Sequence, residues 1–181
     1  MMKIMELKGS RTEQNLMTAF SGESQARNKY TFFAGKARKE GFEQIADLFL
    51  ETAENEREHA EIWFKYLEGI GKTEDNLASA AAGEHYEWAE MYDAFAKDAR
   101  DEGFDDIAVK FEYVAKIEAQ HEERFLKLLS NVQSGEVFRR GSTVIWLCTN
   151  CGHVHVGESA PEICPVCGYS RAYFQIKAEN Y

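Results

Sequence analysis

Apolar residues in the first 133 positions recur at helical spacing, twice over. Ile45, Leu48, Phe49 and Thr52 stand three or four apart, as do Ile107, Phe111, Val114 and Ala115, so each set lines one face of a helix. Both sets belong to an internal repeat. Ala37-Arg38-Lys39-Glu40-Gly41-Phe42-Glu43-Gln44-Ile45-Ala46 returns 62 residues later as Ala99-Arg100-Asp101-Glu102-Gly103-Phe104-Asp105-Asp106-Ile107-Ala108, and the same offset carries Tyr30 to Tyr92 and Phe33 to Phe95. Each copy reads as helix, glycine break, helix. The pattern predicts four helices over about 10–39, 43–69, 76–101 and 105–132, with Gly69-Ile70-Gly71 joining the two hairpins. Both prolines of the chain, Pro161 and Pro165, lie beyond these segments, so no ring interrupts them. After Gly135 the pattern turns β-prone at Val137, Phe138, Val144, Ile145, Trp146 and Leu147. The expected division is a helical domain over 1–135 and a small β domain over 136–181.

The polar positions of the repeat carry the chemistry. Glu56-Arg57-Glu58-His59 and Glu118-Ala119-Gln120-His121 are both Glu-x-x-His and obey the same 62-residue offset. Residues three apart share a helical face, so each pair aims one carboxylate and one imidazole at a single point. Two such pairs, with one acidic residue from each of two further helices, form the ligand set of di-iron and di-manganese four-helix bundles. Glu23 after Gly22, and Glu84 after Gly83, supply those acids. Their separation is 61 rather than 62, so one residue has been inserted between Glu84 and Tyr92, an event that a helix absorbs as a π-bulge. Glu87 falls in this window where the first copy has Ala26, and is the candidate for a seventh ligand that makes the two metals unequal. Tyr30 and Tyr92 read either as core aromatics or as hydrogen-bond partners of the ligand carboxylates. Glu58, Glu61, Glu90, Glu122 and Glu123 read as solvated charges, and His85 as structural or exposed.

A second metal site is written in the tail. Cys148-Thr149-Asn150-Cys151 and Cys164-Pro165-Val166-Cys167 hold all four cysteines, each pair followed by a glycine. Four thiolates at this spacing suit a tetrahedral ion, zinc or a single iron. The opening Met1-Met2-Lys3-Ile4-Met5-Glu6-Leu7-Lys8 carries no long apolar stretch and no run is long enough to span a membrane. The expected compartment is therefore the cytoplasm, which disfavours disulfides. The net charge of −10 argues against nucleic acid as a partner.

Taken together, the chain resembles the rubrerythrins over nearly its whole length. The resemblance rests on Gly22-Glu23-Ser24-Gln25-Ala26-Arg27, the two Glu-x-x-His pairs, Gly83-Glu84-His85-Tyr86-Glu87, Met91-Tyr92 and the cysteine knuckles. It implies a mainly α protein, a ferritin-like four-helix bundle followed by a small rubredoxin-like β metal-binding domain. It implies a non-haem di-iron peroxidase that reduces hydrogen peroxide to water in protection against oxidative stress. Three iron ions per chain are implied: two on Glu23, Glu56, His59, Glu84, Glu87, Glu118 and His121, and one on Cys148, Cys151, Cys164 and Cys167. One iron is expected to move between His59 and Glu87 with oxidation state. A redox electron donor protein and a head-to-tail homodimer are the implied partners. Two other classes fit parts of the chain: a ferritin-like iron oxidase or storage protein, and a non-enzymatic adaptor carrying a zinc ribbon.

Overall fold

The computed structural model describes residues 6–179 in two compact units, one up to Gly71 and one from Lys72 onward. Met1–Met5, part of the stretch read above for a leader, lie outside the described residues.

The first unit is a helical hairpin, α1 (Arg11–Lys39) and α2 (Glu43–Tyr66). Ser10 caps α1 by accepting the Glu13 N–H, and the Glu13 carboxylate reaches back to the Gly9 N–H, a reciprocal cap that satisfies two otherwise orphaned donors. The turn between the helices depends on Gly41, whose φ of 85° lets the Phe42 N–H return to the Ala37 carbonyl. Ala34, Ala37 and Ala46 are buried where the helices meet. These small side chains allow the backbones to approach, and Tyr30, Phe33 and Phe49 cluster beside them with ring centroids 5.7 to 6.3 Å apart. Each aromatic pair contributes about 0.5–1.5 kcal/mol beyond its area.

Helix α2 ends at Tyr66, three residues before the sequence pattern predicts. Glu68 takes a left-handed φ of 55°, and the Gly69 N–H returns to the Phe64 carbonyl, a chain reversal that closes the helix. Glycine is required at position 69, since a Cβ there would sit 2.1 Å from the Phe64 ring.

The second unit opens with α3 (Thr73–Tyr86), which starts three residues earlier than predicted because the Asp75 side chain accepts the Lys72 N–H. A π-helical turn over Glu87–Met91 joins it without a break to α4 (Tyr92–Asp101), and α5 (Asp105–Gln133) folds back along both. The π turn lies inside the window where the repeat gains its extra residue, and the Tyr92 N–H spans five residues to the Glu87 carbonyl. The rest restates the first hairpin. Gly103 has a φ of 86°, Phe104 bonds back to Ala99, and Ala96, Ala99 and Ala108 are buried. Tyr92, Phe95 and Phe111 form the matching aromatic trio.

Within the same unit follows an antiparallel sheet ordered β2-β1-β3, from β1 (Arg139–Cys148), β2 (Val154–Ser159) and β3 (Phe174–Ile176). Its small core is Trp146, Cys148, Ala160, Cys164 and Phe174, and the Trp146 indole N–H is satisfied by the Gly157 carbonyl. Two cysteines thus belong to the core itself, which ties this fold to its metal. Among the described residues, no helix is long and apolar enough to cross a membrane.

Candidate metal centres

Among the described residues three ligand groups emerge, and each converges on a point. In the first unit Glu23 from α1 meets Glu56 and His59 from α2, with one donor atom of each within 4.8 Å of the others. In the second, Glu84 from α3 meets Glu118 and His121 from α5 on the same terms. The Glu-x-x-His geometry is realised twice: His59 Nδ1 lies 2.7 Å from Glu56 Oε2, and His121 Nδ1 lies 2.6 Å from Glu118 Oε2. In both, a ring nitrogen and a carboxylate oxygen compete for the spot a cation of their own would occupy. Hard oxygens with one imidazole per group suit iron or manganese.

The second group is the more crowded electrostatically. Burial raises the Glu84 pKa, and the neighbouring Glu118 and Glu87 carboxylates raise it further against the opposing pull of His121. Burial also raises the Tyr92 pKa, reinforced by Glu87, Glu118 and Glu84. Tyr92 thus stays a neutral phenol with three carboxylates acting on it. Glu87 stands outside the three-residue group but acts on both Glu84 and Tyr92, from the first position of the π turn. Such a pile-up of negative charge is what a bound cation neutralises.

One assignment needs correction. Glu122 is not a solvated charge: its side chain is 19% exposed, and it accepts from the Trp88 indole at 2.5 Å and lies 3.1 Å from His85 Nδ1. The Trp88 bond is the main reason its pKa is lowered, with His85 adding to it. Three residues from α3, the π turn and α5 thus form a clamp next to His121. The repeat held the signal. Glu122 stands where the first copy has Ala60, and His85 where it has Ser24, the same kind of symmetry break that singled out Glu87.

The cysteine site is the most regular. The Cys148–Cys167 and Cys151–Cys164 sulfurs are 3.8 and 3.7 Å apart. A tetrahedral ion with metal–sulfur bonds of about 2.3 Å requires edges of about 3.8 Å, so the cage fits such an ion. Its two halves are built alike. The Cys148 N–H bonds to the His153 carbonyl and the Gly152 N–H to the Cys148 carbonyl, while Cys164, Tyr169 and Gly168 repeat the pattern. Gly152 and Gly168 adopt φ values of 79° and 75°, which a side chain would resist. The Tyr169 N–H and the Asn150 side chain push the Cys167 pKa down to about 6. The His153 N–H favours the Cys151 thiolate too, but burial and the other three sulfurs outweigh it and push that pKa up to about 12. Four sulfurs this close cannot all be anionic without a cation among them.

The rubrerythrin family model matches residues 14–129 and 75–145, and the model of the rubrerythrin rubredoxin-like domain matches 146–175. A rubrerythrin of Porphyromonas gingivalis is 50% identical over 188 residues, covering 97% of this chain and 94% of its own length. A rubrerythrin of Nitratidesulfovibrio vulgaris is 50% identical as well, covering 97% and 98%. Nigerythrin from that organism is 34% identical, covering 86% and 81%.

Proposed function

Because the chain belongs to the rubrerythrin family, a family of di-iron oxidoreductases with a rubredoxin-like metal domain, we propose that it is a peroxidase reducing hydrogen peroxide to water. The observation that carries this reading is the presence, in one chain, of two carboxylate–imidazole groups and a tetrahedral four-sulfur cage. The first two offer a place for peroxide to be reduced, and the third a place from which single electrons are supplied.

The residues divide the work. Glu23, Glu56 and His59 would hold one metal, and Glu84, Glu118 and His121 the other, each group offering two carboxylates and one imidazole. Glu87 would add an oxygen donor that favours a more oxidised metal, and the His59 imidazole would favour a reduced one. When bound, two ferrous ions supply both electrons that peroxide takes, so no one-electron hydroxyl radical is released. Tyr92, a neutral phenol beside Glu87, Glu118 and Glu84, would supply a hydroxyl to orient them once a metal is bound. Cys148, Cys151, Cys164 and Cys167 hold a third iron, whose electrons come from a separate donor protein. His121 stands twelve residues before Gln133, the last residue of α5, about 18 Å along the axis. The cysteine site at the end of one bundle therefore serves the metal pair of a neighbouring antiparallel bundle in a head-to-tail homodimer. The two domains divide near Gly135.

The test begins with the colour of the purified protein: ferric iron in four thiolates is red, and zinc is colourless. Protein reduced without oxygen is bleached, and titration with hydrogen peroxide is expected to restore the colour with one peroxide consumed for every two electrons. A colourless protein, or a reduced one that peroxide re-oxidises no faster than its Glu118→Ala variant, would sink the proposal.

A further inference from the structure

We propose that the Trp88–Glu122–His85 clamp is a positioning device of the second hairpin: the Trp88–Glu122 bond pins the π turn to α5 and so fixes how Glu87 is presented to the other ligands of that hairpin. The proposal deepens the function proposed above and rests on the role given there to Glu87.

Each clamp residue is the chain neighbour of a candidate ligand. His85 follows Glu84, Trp88 follows Glu87, and Glu122 follows His121. Successive helical residues diverge by about 100° around the axis, so the clamp stands beside the ligand face and not on it. It can hold the ligands' backbones without competing for their metal. The π turn is where such a hold matters most. A helix can absorb an inserted residue at any of several turns, and the place where it settles decides which side chains face α5. A shift of one position turns a side chain by about 100°, enough to swing Glu87 away from Glu84 and Tyr92, its neighbours in the site. Here the turn is closed between the Glu87 carbonyl and the Tyr92 N–H, and Trp88, its second residue, is the one bonded across to α5.

That bond is directional and charge-assisted. An indole N–H can only donate, and it donates to Glu122 Oε2 at 2.5 Å. A carboxylate acceptor makes such a bond about twice as strong as a neutral pair. His85 Nδ1 lies 3.1 Å from Oε1 and 3.2 Å from Oε2 of the same carboxylate. Its ring also meets the Trp88 ring edge-on, with centroids 5.2 Å apart, so the indole is held from two sides. The first hairpin has neither insertion nor tether. Its α1 is regular α-helix throughout. Ser24, Arg27 and Ala60 take the corresponding places and line an open cleft of about 350 Å³, and the Arg27 guanidinium bonds along its own helix to Asn28. The inserted residue and the bond that holds it therefore occur together in one copy and are both missing from the other.

The experiment compares full-length, iron-loaded Trp88→Phe, Glu122→Ala and Glu122→Gln, each alone and combined with Glu87→Ala. Glutamine keeps an oxygen acceptor for the indole N–H, so it preserves the bond and removes the charge. Amide hydrogen exchange reads the tether directly. Trp88→Phe and Glu122→Ala are expected to speed exchange over residues 87–92 about tenfold, while Glu122→Gln and the amides of the Gly41 turn stay at wild-type rates. Peroxide turnover is expected to fall about tenfold in the same two variants and to change by less than about twofold in Glu122→Gln. In the Glu87→Ala background all three changes should cost less than about twofold, because Glu87 is the group they misplace. Losses that multiply in the double variants would overturn the proposal, since a general weakening of the fold acts whether or not Glu87 is there. Glu122→Gln behaving as Glu122→Ala would overturn it as well. Exchange decides for any variant too unstable to turn over: acceleration confined to 87–92 upholds the tether, and no acceleration there, or equal acceleration throughout the chain, overturns it. Unchanged turnover in Glu87→Ala alone would overturn the role of Glu87 itself, an outcome distinct from multiplying losses.

Discussion

The two helical hairpins are copies, and they differ where the chemistry is. Both turn at a left-handed glycine, both bury three alanines at the crossing, and both cluster a Tyr-Phe-Phe trio and gather a Glu, Glu, His group. Against that shared scaffold the second hairpin has gained a π turn, the Glu87 it presents, and the Trp88–Glu122–His85 clamp. The first has Ala26, Ala60 and Ser24 at the corresponding positions. A duplicated fold supplies two equivalent half-sites for no more than one evolved packing solution. One inserted residue then makes them unequal, an asymmetry that the redox role proposed above would use.

The strongest test of equivalence removes the same ligand from each copy. Glu56→Ala and Glu118→Ala are expected to act alike, each lowering iron from about three per chain toward about one and peroxide turnover by about a hundredfold or more. The visible spectrum of the cysteine iron stays intact, since its cage folds around its own core. Near-normal turnover in either variant would break the ligand assignment. Glu87→Ala probes the inequality instead, and its effect is smaller. Six ligands remain, the ordinary set of a symmetrical bundle, so iron content holds while peroxide turnover falls about tenfold or more and reactivity toward oxygen rises. Unchanged turnover would leave the π turn without a chemical role.

Sequence reading reached the candidate ligands because they obey strict periods. The 62-residue offset, the three-residue Glu–His spacing and the two cysteine knuckles are local rules that packing does not alter. Even the π turn was visible, as a mismatch of one in the offset between Glu23–Glu84 and Tyr30–Tyr92. Helix ends were less legible. The end of α2 depends on a glycine accommodating the Phe64 ring, and the start of α3 on Asp75 reaching back to Lys72, both contacts between side chain and backbone that no periodicity announces. Glu122 was misread for a related reason. An acidic residue on a helix is solvated by default, and only the approach of α3 and the π turn to α5 supplies the indole that half-buries it.

The clamp yields the next smaller effect. Trp88→Phe keeps the aromatic body and removes the N–H that Glu122 accepts, leaving a half-buried carboxylate with His85 alone. The melting temperature of metal-loaded protein is expected to fall by a few degrees. Arg27→Ala, at the corresponding place in the first hairpin, should change it less. An equal loss in both would mean that the clamp adds nothing to the second hairpin.

The smallest effect tests the symmetrical part of the comparison. Gly41 and Gly103 hold φ values of 85° and 86°, and a Cβ added at either meets nothing within 4 Å. Replacement by alanine therefore costs only the left-handed backbone conformation, about 1 kcal/mol at each site. For a chain of this size that corresponds to a fall in Tm of about 2–4 °C. Gly41→Ala and Gly103→Ala should match each other in thermal melts, and the double variant should lose about twice as much, since the two turns share no partner. Two clearly different losses would show that one turn carries a load the other does not, and the duplicated scaffold would no longer be equivalent even away from its metals.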